Sequence, residues 1–229
     1  LCTISIDTTG ESLHKRGHKA EVAKAPMREN LAALFLRQCG YDGRMPVLDP
    51  MCGSGTFVIE AAEIAAGLKP GRSRRFAFEQ LARFDNAAWQ KLRAGGAAKT
   101  IDPAIRFHGR DRDAGAIRMS RANAERAGIA SLADFQTAEL ADLAAPAGLP
   151  GLVIVNPPYG TRIGEKKALL PLYRKLGEVL RSRFAGWRVG VVTHDADLAV
   201  ACGLPFTAPF GPVSHGGIRV SLYPTDALT

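Results

Sequence analysis

Pro46-Val47-Leu48-Asp49-Pro50-Met51-Cys52-Gly53-Ser54-Gly55-Thr56-Phe57-Val58-Ile59 is the stretch that decides the fold. Residues 46–49 read as a short buried strand and residues 50–56 as a glycine-rich turn. Residues 57–66 are apolar nearly all round, the pattern of a buried helix. Gly53 and Gly55 let the backbone pass close to a ligand, and the helix N-terminus offers free N–H groups. Strand, turn and helix in this order belong to an α/β fold with a ligand at the turn.

The turn differs from two familiar nucleotide loops. Val58 holds the third glycine position of a G-x-G-x-x-G loop, and no Lys follows Gly55 in the Walker A frame. Asp49 at the strand end repels a pyrophosphate and attracts a cation. S-adenosylmethionine (SAM) carries two cationic groups, a sulfonium and an ammonium. The loop therefore favours SAM over NAD or ATP.

A second strand-turn unit lies about a hundred residues on. Leu152-Val153-Ile154-Val155 reads as a buried parallel strand and runs into Asn156-Pro157-Pro158-Tyr159. Taken alone, Asn-Pro-Pro also fits a plain turn. Its chemistry suits methylation of an exocyclic amino nitrogen. The Asn156 amide oxygen and the Pro157 carbonyl are two acceptors for an NH2 group, on backbone that Pro158 stiffens. Tyr159 offers a flat face for a base.

Working outward, residues 1–10 predict a short strand over Cys2-Thr3-Ile4-Ser5-Ile6-Asp7. A helix is expected over 27–39 with Leu31, Leu34 and Phe35 on one face, then strand one over 45–49 and its helix over 54–67. Residues 68–103 form an insertion with helices near 76–82 and 86–94; Trp89, Phe76, Phe78 and Phe84 are expected to pack it onto the domain. Strands follow at 104–110, 133–138, 151–155 and 189–193, with helices at 113–127 and 167–183. Leu169, Leu172, Tyr173, Leu176 and Leu180 make a stripe on the last helix. The tail reads as a hairpin with Gly216-Gly217 before a final strand at 218–223. The alternation predicts a doubly wound, Rossmann-like sheet of seven strands, mostly parallel with an antiparallel last strand, and helices on both faces. Residues 1–40 lead into the domain and residues 41–229 form it.

At 229 residues the chain supports one large domain. No apolar run approaches a membrane span, and no secretory signal is visible. The first residue is Leu, so an N-terminal part upstream is expected. The four cysteines, Cys2, Cys39, Cys52 and Cys202, form no C-x-x-C pair, and the five histidines add no metal-ligand spacing. Free thiols in a reducing cytoplasm and no metal site are expected. Cys52 has no evident paired His, so it reads as a small loop residue rather than a nucleophile.

A net charge of +8 and an isoelectric point near 9.6 fit a nucleic-acid partner. Arg72, Arg74 and Arg75 cluster in a Gly/Pro/Ser-marked loop and are candidate RNA contacts. The arginines at 106, 110, 112, 118, 121 and 126 read mainly as solvated faces, as do Lys166, Lys167 and the basic residues from 174 to 188.

Together these segments resemble the class I SAM-dependent RNA methyltransferases, and more narrowly the THUMP-containing bacterial 23S rRNA guanine-N2 methyltransferases. The resemblance rests on Asp49-Pro50-Met51-Cys52-Gly53-Ser54-Gly55-Thr56 and Asn156-Pro157-Pro158-Tyr159-Gly160. Lys15-Arg16-Gly17-His18, Ala25-Pro26-Met27-Arg28-Glu29-Asn30, Pro70-Gly71-Arg72, Phe76-Ala77-Phe78-Glu79, Gly109-Arg110-Asp111-Arg112-Asp113 and His215-Gly216-Gly217-Ile218 extend it over nearly the whole chain. It implies a SAM site at Asp49, Met51, Gly53, Gly55, Thr56 and Asn156, with Ala25 and Pro26 covering the cofactor. It implies Asp111 on the ribose diol; Asp113 reads as a helix N-cap. It implies Glu139 on the adenine amino group, where the family has Asp, with Asp142 competing. It implies that Asn156, Pro157, Pro158 and Tyr159 carry catalysis. RNA, and specifically rRNA, is the implied partner, with a THUMP-type RNA-binding domain upstream. Two other readings stay open: an amino-methylase of a tRNA guanine, a DNA adenine or a protein glutamine, and a non-catalytic SAM-binding RNA module.

Overall fold

The computed structural model describes residues 1–18, 27–95, 99–159 and 163–229. In chain order its main elements are α1 (Glu29–Gln38), β1 (Val47–Asp49), α2 (Thr56–Ala65), α3 (Asn86–Ala94), β2 (Phe107–Asp111), α4 (Ala114–Ala127) and β3 (Ala133–Thr137). Then follow β4 (Leu152–Val155), α5 (Ile163–Arg183), β5 (Arg188–Thr193), α6 (Ala196–Ala201), β6 (Phe210–His215) and β7 (Ile218–Pro224). Among the described residues seven strands form one sheet in the order β3-β2-β1-β4-β5-β7-β6. Neighbours from β3 through β5 pair in parallel, and β7 runs antiparallel to both β5 and β6. The strand order reverses between β1 and β4. In an open α/β sheet that is where a ligand-binding crevice forms, beyond the C-terminal strand ends.

Side-chain alternation along the strands splits the core into two layers. Val47, Phe107, Leu152 and Ile154 pack with Phe35, Leu36, Phe57 and Ile117 from α1, α2 and α4. Leu48, Val153, Val155, Val189 and Val191 pack on the other face with Tyr173, Leu176, Leu180 and Leu198 from α5 and α6. This is why β4 is apolar at every position: both its faces are covered. Each such fully buried side chain contributes about 1.5–3 kcal/mol.

Several expectations need correction. Residues 1–6 form no strand; among the described residues no strand edge pairs with them, and Ile4 and Ile6 are exposed. The buried stripe of α1 is Ala32, Phe35 and Leu36, rotated from the expected one, and Leu34 is exposed. The short helix α6 went unread because six residues give too little periodicity.

The insertion aromatics pack on each other rather than on the domain. Phe76 stacks on Phe78 at 5.3 Å, and Trp89 meets both edge-on at 5.7 and 4.9 Å. Polar contacts make the attachment instead. Arg72 bonds Glu63 and the Ala127 carbonyl, and Phe78 N donates to Thr8 O at 3.0 Å.

The α2 helix is buried almost all round, as its sequence implies, yet it carries Glu60 and Glu63, each 2% exposed. Buried carboxylates need partners. Arg16 supplies them: its Nη1 lies 2.7 Å from both Glu60 oxygens and 3.3 Å from Glu63 Oε2. His18 Nε2 lies 3.2 Å from Glu63 Oε1. Burial pushes Glu60 up to about 8 against the pull of Arg16. Burial also raises Glu63, but the His18 hydrogen bond and the Arg72 charge outweigh it and hold that carboxyl below its ordinary value. From His18 the network continues through Arg126 and Asn123 to the Ser54 carbonyl in the glycine-rich turn. The Arg16-His18 segment is thus wired to the loop at the other end of α2.

Candidate active site

The turn after β1 is held from four sides. Gly55 N donates to Cys52 O at 2.7 Å and Cys52 N to Arg110 O at 2.9 Å. Gly53 N donates to Asp111 Oδ2 at 2.9 Å, and Ser120 Oγ donates to Gly53 O at 2.7 Å. Gly55 has φ +83°, and a Cβ there would lie 3.1 Å from both the Phe135 ring and Ser120 Oγ. Only glycine suits that backbone and that space. No side chain caps α2 at Gly55, so the first-turn N–H groups point out of the turn. Thr56 is buried, with its hydroxyl toward Met27 O at 3.5 Å.

Asp49 ends β1 and is 2% exposed. Its Oδ1 accepts from Met51 N at 3.0 Å. Burial pushes its carboxyl up to about 8, the Met51 bond opposes this, and the nearby Asp111 charge adds to the rise. Among the described residues no cation pairs with it. A buried carboxylate in that state is stabilised by an incoming positive charge. Met51 is half-buried beside it.

Asp111 ends β2. One carboxylate oxygen accepts from Gly53 N and the other from Asp113 N at 2.9 Å. It therefore ties β2 to the glycine turn, whatever else it binds. Asp113 caps α4 by accepting from Gly115 N at 2.7 Å, the N-cap its position predicted. Glu139 and Asp142 are both exposed; Glu139 precedes and Asp142 ends the short turn Leu140–Asp142 just beyond β3. The geometry does not separate these two candidates. Ala25 and Pro26 lie outside the described residues.

Across the sheet reversal, β4 delivers Asn156, Pro157, Pro158 and Tyr159. Asn156 Oδ1 is buried and, among the described residues, has no hydrogen-bond partner. Burial raises the Tyr159 hydroxyl above its ordinary value, and a hydrogen bond from Asn156 opposes the rise. The turn is braced by Tyr173, whose hydroxyl reaches the Pro158 carbonyl at 3.3 Å and Thr193 Oγ1 at 3.4 Å. Sequence reasoning placed Tyr173 on a packing stripe and missed this bracing. It also missed His194. That ring sits just past β5, with its centroid 5.1 Å from that of Tyr159 in an edge-on arrangement. Its Nδ1 is buried and unpartnered among the described residues.

The arginine loop is not uniform. Arg74 is buried; its guanidinium bonds the carbonyls of Thr9, Glu11 and Ser12 and lies 4.9 Å over the Phe76 ring. Arg72 is committed to Glu63 and Ala127 O. Arg75 is exposed. A phosphate contact from Arg74 or Arg72 competes with bonds already made, so the expected three-residue patch narrows to Arg75. Arg121 and Arg126, expected as solvated, bond Phe135 O and His18 O across elements.

Cys52 is buried against Ser120 Oγ, and burial with two nearby carboxylates raises its thiol well above the ordinary value. It is held as a thiol, unsuited to nucleophilic work. Among the described residues, no three His, Cys, Asp or Glu side chains gather to hold a metal, and no helix is long and apolar enough to cross a membrane.

Comparison with known proteins gives a consistent result. A family model described as "RMKL-like, methyltransferase domain" (UPF0020) matches residues 16–206. A ribosomal RNA large subunit methyltransferase K/L from Chromohalobacter salexigens is 43% identical over 212 residues, covering 88% of this chain and 29% of its own length. One from Legionella pneumophila is 40% identical, covering 97% of this chain and 32% of its own. A crystal structure of a protein assigned as a methyltransferase, complexed with SAH, superposes with a TM-score of 0.88 at 33% identity. That match covers 97% of this chain and 58% of the other. The chain thus spans under a third of the length of these curated relatives.

Proposed function

The chain belongs to the RMKL-like methyltransferase domain family, and from that premise we propose that it is the catalytic domain of a cytoplasmic SAM-dependent RNA methyltransferase, acting on the exocyclic N2 of a guanine in 23S rRNA. One observation carries the reading. Among the described residues, a buried carboxylate without a cation, Asp49, ends β1, and a buried acceptor without a donor, Asn156 Oδ1, follows its sheet neighbour β4. One wants a positive charge and the other an N–H; SAM and an amino-bearing base supply them.

The residues fit the cofactor. Asp49 would face its cationic groups, the Gly53-Gly55 turn its carboxylate end at the α2 N-terminus, Asp111 its ribose, and Glu139 or Asp142 its adenine. Bound there, SAM supplies a methyl group on a sulfonium, activated for transfer.

The protein's part is mostly orientation. The guanine N2 lone pair is delocalised into the ring and is a poor nucleophile. Asn156 Oδ1 and the Pro157 carbonyl accept hydrogen bonds from the N2 amino group and favour an sp3-like nitrogen. That nitrogen gains positive charge in the transition state, so the acceptors help more there than in the ground state. Tyr159 stacks on the base, and Tyr173 and His194 hold Tyr159 and its turn. The methylated nitrogen is acidic and loses its proton to water, so no strong general base is required. A paired base is out of reach, so the target is unpaired or flipped out. A THUMP-type domain elsewhere in the full-length protein supplies most of the RNA affinity.

Asn156→Ala in the full-length protein tests the reading. Methyl transfer to rRNA is expected to fall about a hundredfold or more, the worth of one well-placed group, while SAM affinity is retained. Equal rates for the two proteins exclude the mechanism.

A further inference from the structure

The sequence after β5 carries a residue that the methyl-transfer scheme uses only as packing. β4 ends at Val155, which pairs with Val191 of β5. The β5 chain therefore runs three residues beyond that pairing to His194, past the level where β4 turns into Asn156. His194 meets the Tyr159 ring edge-on at 5.1 Å, and Asn156 hydrogen-bonds the Tyr159 hydroxyl. All three side chains thus lie together where β4 and β5 end.

Two buried polar atoms in this group lack partners among the described residues: Asn156 Oδ1 and His194 Nδ1. A buried unpaired acceptor costs free energy that a ligand donor recovers. Guanine presents two neighbouring donors on its Watson–Crick edge, the N2 amino group and N1–H. Adenine presents an amino group beside a bare N1 acceptor. An imidazole with its proton on Nε2 offers a lone pair at Nδ1. Such an acceptor meets guanine N1–H favourably and opposes adenine N1.

Resting on the guanine reading above, we propose that His194 is a specificity-determining residue: its Nδ1 accepts the N1–H of the target guanine beside the N2 amino group held by Asn156. Sites built to hydrogen-bond a substrate N–H reject analogues that lack it far more strongly than apolar sites reject a missing methylene. His194 touches the base and does not transfer a proton to or from the reacting nitrogen.

The test uses the full-length protein and the rRNA segment that it methylates, made with either guanosine or 2-aminopurine riboside at the target position. 2-Aminopurine keeps the reactive N2 amino group but has no N1–H. Three proteins are compared: the unaltered one, His194→Phe, which keeps a ring against Tyr159 and removes the acceptor, and His194→Asn, which keeps a short-branched acceptor. The two substrates and two proteins form a cycle that removes the separate effect of losing the guanine carbonyl. His194→Phe is expected to lower kcat/KM on guanine about tenfold or more, the effect of one hydrogen bond, and to leave the 2-aminopurine rate nearly unchanged. The guanine preference then collapses by the same factor, and His194→Asn restores part of it. A loss in His194→Phe that is equal on both substrates, or no loss on either, overturns the proposal. A protein that methylates neither guanine nor 2-aminopurine, but methylates adenine, overturns the guanine reading instead.

Discussion

The affinity of this domain for SAM is expected to rise steeply with pH, and Asp49 is the reason. Burial pushes its carboxyl up to about 8, so in the free domain it is protonated through the acidic and neutral range. A cation beside it requires the carboxylate. Binding therefore expels a proton below that value, and the sign follows: affinity falls as pH falls. Each unit below the free-domain value weakens binding about tenfold, or about 1.4 kcal/mol. Between about pH 5.5 and about pH 7.5 the loss is about a hundredfold, or about 2.7 kcal/mol. An α-ammonium titrates near pH 8, so the ligand keeps its charge over this window. Calorimetry in two buffers of different ionisation enthalpy reads both the affinity and the proton released, expected to approach one per site. Asp49→Asn should bind weakly and show a flat profile. A flat profile in the unaltered domain, or the same slope in Asp49→Asn, refutes the reasoning.

Four further outcomes follow from the contacts described. Arg16→Met leaves Glu60 and Glu63 buried without their main partner and should destabilise the domain by about 3–5 kcal/mol, read by denaturant unfolding. Gly55→Ala forces an L side chain to φ +83° against Phe135 and Ser120; about 1–2 kcal/mol of stability should be lost, with weaker SAM binding in titration. Arg75→Ala in the full-length protein should shrink the salt dependence of RNA binding by about 0.7 to 0.9 in log–log slope if Arg75 holds one phosphate, with fold stability unchanged. Arg74→Ala should lower stability instead, because its guanidinium holds the carbonyls of residues 9, 11 and 12.

Local pattern made much of this fold legible. The apolar run of β4, the glycine turn after β1 and the tail hairpin each signal themselves within a few residues. The alternation of strands and helices then places the sheet reversal beside Asp49 and Asn156. Features built from distant residues were harder to see. Arg16 and Glu60 are 44 positions apart, and only their juxtaposition in space makes a buried pair. A signal was present: two glutamates in an otherwise apolar buried helix must find cations. The same reasoning would have questioned an arginine cluster read as RNA contacts, because Arg72 is one of those cations. The expected strand at the start of the chain had the right alternation, yet periodicity says nothing about whether an edge is available to pair with. His194 carries no motif at all. Its place beside Tyr159 follows from the β4–β5 pairing, which the sequence alone does not align.

Ribosomal RNA from cells lacking the full-length protein, incubated with that protein and SAM bearing a deuterated methyl group, gives the most direct test of methyl transfer to guanine N2. Digestion to nucleosides and mass analysis should find the label in N2-methylguanosine from 23S rRNA, and the label should vanish with Asn156→Ala. Label in N6-methyladenosine, label confined to protein, or no labelled nucleoside at all would contradict the account.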